Sequence, residues 1–137
     1  MSALTMYADA AAQTGVTDAA AILYELIEPW ADHVVWSSLN SYGHERMYLG
    51  LLAAALGWDE RGDEHFAGSC EFEEQRGMLL WAARAHLGWA EAPAARGEAE
   101  RGREEAQRVL ELSREHGYAL FEPRAAALVE TESPASA

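Results

Sequence analysis

The amino-acid sequence predicts an all-α fold of six or seven helices arranged in antiparallel hairpins. Apolar side chains recur at helical spacing in several segments, and glycines stand where those segments would end. In the middle of the chain, Gly50, Gly57 and Gly62 would let two helices approach closely. Phe66, in the second of those helices, would wedge the pair against its neighbour. This pattern is typical of a scaffold of stacked hairpins.

The N-terminal part of the chain contains the first three predicted helices. The first is Ala-rich, covers 3–13 and ends at Gly15. The second begins at Thr17 or Asp18, either of which can cap it. Its apolar stripe consists of Ala19, Leu23, Leu26, Ile27 and Trp30. The third covers 44–56 and has apolar side chains around nearly its whole circumference, so we expect it to be central and buried.

A long connection separates the second helix from the third. Pro29 weakens the second helix, and the segment 30–43 has neither a helical nor a strict strand period. We therefore predict an irregular loop there. It is longer than the usual link between two helices, and loops of this kind often bind a ligand.

The fourth and fifth predicted helices follow directly. Asp59 can cap the fourth, which ends at Gly77. The fifth covers 79–91, and Pro93 with Gly97 marks a loop after it. Together with the third helix, these two are expected to form the centre of the stack.

The C-terminal part adds a strongly charged sixth helix over 98–116 and a short seventh helix over 121–129. The seventh would cap the stack. Residues 131–137 are small and polar and include a proline, so we predict a flexible tail. The rest of the chain, 1–130, is predicted to form a single helical-repeat domain.

Charge and cysteine content limit the classes of partner and compartment. The chain has 23 acidic and 10 basic residues and a formal net charge of -13, which would repel nucleic acid and anionic membrane surfaces. The single Cys70 cannot form an internal disulfide, and the N-terminal sequence lacks a signal-peptide pattern. No apolar stretch approaches the roughly 20 residues of a spanning helix. We expect a cytoplasmic protein that binds neither nucleic acid nor membrane.

Four short motifs resemble a known family. They read Tyr-Leu-Gly-Leu-Leu-Ala at 48–53, His-Phe at 65–66, Trp-Ala-Ala-Arg at 81–84 and Glu-His-Gly at 115–117. With these motifs the chain resembles the C-terminal tetratricopeptide-like helical-repeat region of large bacterial regulators, which carry an AAA-type ATPase and often an adenylate-cyclase-like or LuxR-type DNA-binding domain. The resemblance implies tetratricopeptide-like hairpins and a sensor arm that binds a ligand or a partner.

Aromatic and polar residues indicate a candidate ligand-binding groove. The first helices of adjacent repeats line the concave face of such a stack, so residues of the third and fifth helices should meet there beside the long connection. The expected ligand-binding residues are Trp36, Tyr42, Tyr48, Trp81, Arg84 and His86. Arg84 can clamp a carboxylate, or it can pair with Glu73 or Glu45. For the tryptophans, the alternative is plain core packing.

The resulting functional hypothesis is a sensor or binding module that holds a small organic molecule or a protein segment in this groove. One alternative is a small cofactor-independent enzyme that uses His44 or His86 as an acid-base in the same groove. Another is an adaptor or homodimer built on exposed aromatic residues. The histidine and cysteine spacing is not a metal signature, so we expect neither a metal nor a cofactor.

Overall fold

The computed structural model of this chain describes residues 1–131 and is an all-α fold, as predicted. Its seven α-helices are α1 (Ser2–Thr14), α2 (Thr17–Ile27), α3 (Glu45–Ala55), α4 (Asp59–Gln75), α5 (Leu79–Ala95), α6 (Ala99–His116) and α7 (Glu122–Glu130). Within the described residues, none of these helices has the length and apolar character needed to cross a membrane. The predicted flexible tail, 131–137, lies outside the described residues apart from Thr131.

Consecutive helices pack as hairpins that stack in chain order. The pairs α1 with α2, α3 with α4 and α5 with α6 are in contact, and α7 packs on α5 and α6. Gly57, Gly77 and Gly97 link successive helices with φ angles of 72°, 68° and 92°, a left-handed conformation that glycine adopts without steric cost. These three glycines and Gly117 are spaced by 20 residues. The repeat of one helix is therefore 20 residues, and that of one hairpin is 40.

Phe66 of α4 holds α3 and α5 together at the centre of the stack. It is fully buried, and a Cβ atom added at either Gly50 or Gly88 would lie 2.8 Å from its ring. A larger residue at either glycine would force the ring or the helix to move. The predicted close approach of α3 and α4 around this aromatic ring is confirmed. As expected, α3 is central: it contacts α1, α2, α4 and α5.

The long connection is more ordered than the sequence predicted. In place of an irregular loop it contains a 3₁₀ turn (Glu28–Trp30) and an antiparallel hairpin of two strands, β1 (Val34–Ser37) and β2 (Asn40–His44). Val34 faces His44 across the hairpin, and the register shifts between Val34 and Trp36. The run of β-branched and aromatic residues at the start of β1 favours a strand. Four residues with a register shift are too few to show a period of two in the sequence.

Two further sequence predictions are corrected. The fifth helix does not end at 91 but continues to Ala95, with Pro93 buried in its last turn; at that position one lost backbone hydrogen bond is outweighed by burial. In α2 the buried stripe is formed by Ala20, Tyr24 and Ile27. Trp30, which the sequence placed on the apolar stripe, is 46% exposed in the 3₁₀ turn because the α-helix has already ended.

Candidate ligand-binding groove

A groove runs along one face of the stack, with residues of α1, α3, α5 and α7 in its walls. It encloses about 510 Å³. Most of the residues that line it are small or apolar: Ala12, Leu51, Ala54, Ala55, Gly57, Gly88, Ala92 and Ala95. Because these side chains are short, a bound molecule could lie close to the helix backbones.

The charged residues that line this groove form ion pairs. Arg84 Nη2 donates to Asp9 Oδ1 at 3.0 Å. Arg124 donates to both carboxylate oxygens of Glu91, at 2.8 and 2.7 Å. Arg96 pairs with Asp63 at 3.1 Å and with other neighbouring carboxylates. The groove is therefore close to electrically balanced within a protein that carries a net charge of -13.

A second, smaller cavity of about 220 Å³ lies at the end of the groove nearest the β-hairpin. Its lining residues are Thr5, Met6, Asp9, Tyr42, Met47, Tyr48, Trp81 and Arg84. It shares Asp9 and Arg84 with the larger cavity. The ion pair between these two side chains therefore lies where the two cavities adjoin.

Gly43 positions the hairpin against this smaller cavity. Its φ angle is +84°, and an added Cβ atom would lie 3.0 Å from both the Trp81 ring and Glu73 Oε1, so only glycine fits without strain. Glu73 Oε1 accepts a hydrogen bond from the backbone N–H of His44 at 3.0 Å. The hydroxyl of Tyr48 donates to the carbonyl of Tyr42 at 2.6 Å. These contacts fix Tyr42 and Trp81 beside each other.

Arg84 is the positive charge of this smaller cavity, and its hydrogen bonding is incomplete. Its side chain is only 13% exposed. Its Nη1 atom is shielded from solvent and has no hydrogen-bond partner within residues 1–131. The predicted ion pair with Glu73 or Glu45 is wrong, because Arg84 pairs with Asp9 of α1. The sequence could not show that α1 lies across α5 at this point.

Four of the six residues expected in the groove lie together: Tyr42, Tyr48, Trp81 and Arg84. The structure places Trp36 and His86 elsewhere. In β1 the side chain of Val35 points inward and is buried, so Trp36 points outward and is 66% exposed. His86 follows Arg84 by two residues, which is a rotation of about 200° around a helix, and its ring lies on the side of α4 and α6.

His86 is bound on both sides by carboxylates. Its Nδ1 lies 2.6 Å from Glu105 Oε2, and its Nε2 lies 2.9 Å from Glu74 Oε1. Burial alone would lower the pKa of His86, but the hydrogen bonds and charges of these two glutamates outweigh burial and raise it. The imidazolium form is favoured, and both ring nitrogens are already used. This geometry is that of a structural ion-pair network.

His44 is buried at the end of β2, with its ring 4.1 Å from that of Phe72. Burial, together with nearby Arg46, lowers its pKa to about 4. Neither His44 nor His86 lines either cavity of the groove. In the part of the chain that the structure describes, no group of three or more potential ligands is placed to hold a metal ion.

Sequence reasoning missed the contribution of α1 to this site. Asp9 was not among the expected residues, and neither were Arg96 and Arg124 in the larger cavity. One signal was present, because Asp9 is the single charged residue of α1. A second was the spacing of glycines by 20 residues, which gives the correct length of α5 and therefore places Arg96 at its end.

Comparisons with models of protein families, with curated proteins and with solved structures gave no significant match. The resemblance to the helical-repeat region of bacterial regulators therefore stays a prediction. The function proposed for this chain rests on the geometry and chemistry of the groove itself.

Proposed function

We propose that this chain is a binding module whose concave groove holds a small organic molecule or a segment of a partner protein. The observation that carries this proposal is the groove of about 510 Å³ along α1, α3, α5 and α7. Its volume lies within the range of about 300–1,000 Å³ that is usual for ligand sites. Its lining, mostly small and apolar with a few charged groups, is the mixture that such sites use for affinity and orientation.

The charge distribution supports the same proposal. The net charge of -13 makes most of the surface acidic, but in the groove Arg84, Arg96 and Arg124 are paired with carboxylates. A ligand, including an acidic one, therefore meets less electrostatic repulsion in the groove than on the acidic outer surface.

Binding in this groove would also act on the whole stack. A ligand between α1, α3, α5 and α7 would contact all the hairpins at once, and it would bind only the folded protein. Folded-state binding stabilises a protein in proportion to the logarithm of ligand concentration over Kd, about 2.7 kcal/mol at one hundred times Kd. A sensor role would use this coupling between occupancy and the rigidity of the stack.

The proposal is tested by filling the groove. Ala92 lines the large cavity, so Ala92→Trp should occupy it with an indole ring. The matched control is Ala127→Trp, at an exposed position of α7 outside that lining. A fragment library and a library of random twelve-residue peptides are screened by thermal shift, and hits are mapped by NMR on all three proteins.

We expect hits that perturb the amides of α1, α3 and α5 in the wild type and in Ala127→Trp, and that are lost in Ala92→Trp. Two results contradict the proposal. One is the absence of any hit from either library. The other is a set of hits that bind Ala92→Trp as tightly as the wild type.

A further inference from the structure

We propose that the smaller cavity at the hairpin end of the groove is a subsite for a small aromatic carboxylic acid. Arg84 would hold the carboxylate, and Tyr42, Tyr48 and Trp81 would surround the ligand ring. This inference rests on the proposed function and gives it a ligand class.

The size of the cavity limits the ligand to about one ring. An apolar cavity of roughly 150 Å³ accepts benzene, and this cavity encloses about 220 Å³. The difference of about 70 Å³ leaves room for a carboxylate and a short spacer. A larger acid would have to extend past Asp9 and Arg84 into the long groove.

Arg84 provides the chemistry that selects an acid. A guanidinium has five N–H donors in a planar fork that matches a carboxylate, and Asp9 accepts from Nη2 only. Nη1 is buried and without a protein acceptor among the described residues. A buried, unpaired donor is costly, and Nη1 is shielded from the cavity as well as from bulk solvent. A carboxylate that turns the guanidinium until Nη1 faces the cavity therefore regains the energy of that unmade hydrogen bond.

The other polar groups of the cavity do not compete for this role. Burial raises the pKa of the Tyr48 hydroxyl, which therefore stays protonated, and it already donates to the carbonyl of Tyr42. Of the described residues that line the cavity, Asp9 is the one that is acidic, and it forms an ion pair with Arg84. The group that remains available to a ligand is thus a cationic hydrogen-bond donor beside an aromatic surface, which fits an aromatic anion better than a cation.

The test compares phenylacetate with its neutral isostere phenylacetamide by titration calorimetry or NMR. Arg84→Gln should weaken the binding of phenylacetate about 10- to 100-fold, the usual range for a lost charge-assisted hydrogen bond, and leave the amide almost unchanged. Arg114→Gln is the matched control, because Arg114 is an exposed arginine of α6 that lines neither cavity of the groove. It should leave the affinity for both compounds within about twofold.

A variant that is expected to bind more tightly controls for the possibility that weaker binding reflects poor folding. Asp9 places a negative charge close to the proposed carboxylate, so Asp9→Asn should tighten the binding of phenylacetate about 3- to 10-fold by removing repulsion between like charges. Arg84→Lys keeps the charge but loses the fork and should give an intermediate affinity. A damaged protein would not bind more tightly.

The inference is overturned if the acid and the amide bind wild type equally, or if Arg84→Gln weakens the binding of phenylacetate no more than Arg114→Gln does. It is also overturned if phenylacetate does not bind while other fragments or peptides bind the long groove, in which case the proposed function stands. If no compound of any class binds either cavity, both proposals fail together.

Discussion

Helix α5 presents two charged side chains, each little exposed, to opposite sides, and they differ in how completely they are hydrogen-bonded. The side chains of Arg84 and His86 are 13% and 10% exposed. On the side of α4 and α6, both ring nitrogens of His86 meet carboxylates. On the side of the groove, Arg84 meets one carboxylate through one nitrogen and leaves another without a partner among residues 1–131.

The difference shows which observation distinguishes a side chain with a structural role from one that is available to bind a ligand. Both side chains are of a type expected in a binding site, and they are buried to nearly the same extent. Neither residue type nor burial therefore distinguishes Arg84 from His86. Completeness of hydrogen bonding does, because a satisfied network gains nothing from a ligand. We call the α4 and α6 side of α5 the closed side and the groove side the open side. If that distinction holds, substitutions on the two sides of α5 should have different effects on stability and binding.

The largest expected effect concerns Glu73, a fully buried carboxyl of α4 whose Oε2 has no hydrogen-bond partner among residues 1–131. Burial raises its pKa from 4.5 to about 7, against the hydrogen bond from the His44 backbone. Between pH 4.5 and 7 the folded state therefore keeps a proton that the unfolded chain has lost, so this group makes stability fall as pH rises. Relative to Glu73→Gln, the wild type should lose about 2.5 kcal/mol from pH 5 to pH 8.

Urea unfolding at both pH values measures this change. Glu71→Gln, at an exposed position of the same helix, is the matched control and should track the wild type. His44 has the opposite sign, because its pKa is lowered from 6.5 to about 4, but it is present in all three proteins. A pH-independent difference between wild type and Glu73→Gln would mean that the carboxyl is not buried as described.

His86→Leu breaks the closed side and should cost about 2 kcal/mol at pH 6, because it leaves Glu74 and Glu105 without their shared cation. The folded pKa of His86 lies above its unfolded value of 6.5. Its contribution is fully present below pH 6.5 and is lost as pH rises through the folded pKa. The penalty should therefore shrink by pH 9 in urea unfolding. A penalty that grows with pH would contradict this assignment.

Arg84→Leu makes the same kind of change on the open side and should cost less than about 1 kcal/mol. Its ion pair with Asp9 has a single contact, and the Asp9 side chain is 36% exposed, so little stability depends on it. Unfolding under the same conditions gives a direct comparison with His86→Leu. Equal losses for the two variants would remove the distinction between the sides of α5.

Trp36→Ala should have the smallest effect, less than about 0.5 kcal/mol, because the indole is 66% exposed on the outer side of β1. It should also leave phenylacetate affinity unchanged, since Trp36 lines neither cavity. Thermal unfolding and calorimetry check both expectations. Loss of binding in this variant would restore the sequence-based placement of Trp36 at the site.

The helical body was predictable because its signals are local. Gly15, Gly57, Gly77 and Gly117 stand at or just beyond helix ends, and the all-round apolar character of α3 gave its central position. Phe66 and the small residues facing it gave the contact between repeats. Such features depend on residues close in sequence, which a single chain displays.

The β-hairpin, the orientation of Trp36 and the ion-pair partner of Arg84 were not predictable in the same way. Whether Trp36 points inward or outward depends on a register shift in β1, which no residue in the sequence marks. The partner of Arg84 depends on the packing of α1 against the rest of the stack, across 75 residues of sequence. Glu73 and Glu45 were plausible partners by charge, but only the tertiary structure selects Asp9.

The most direct test of the open side of α5 is the NMR spectrum of the five indole N–H groups during titration with phenylacetate. Among the described residues that line the proposed subsite, Trp81 is the tryptophan. We predict that its indole resonance and the Arg84 Nε–H resonance shift, while those of Trp36 and Trp89 stay in place. Shifts confined to Trp89 or to the amides of α6 would put the ligand on the closed side and contradict the account.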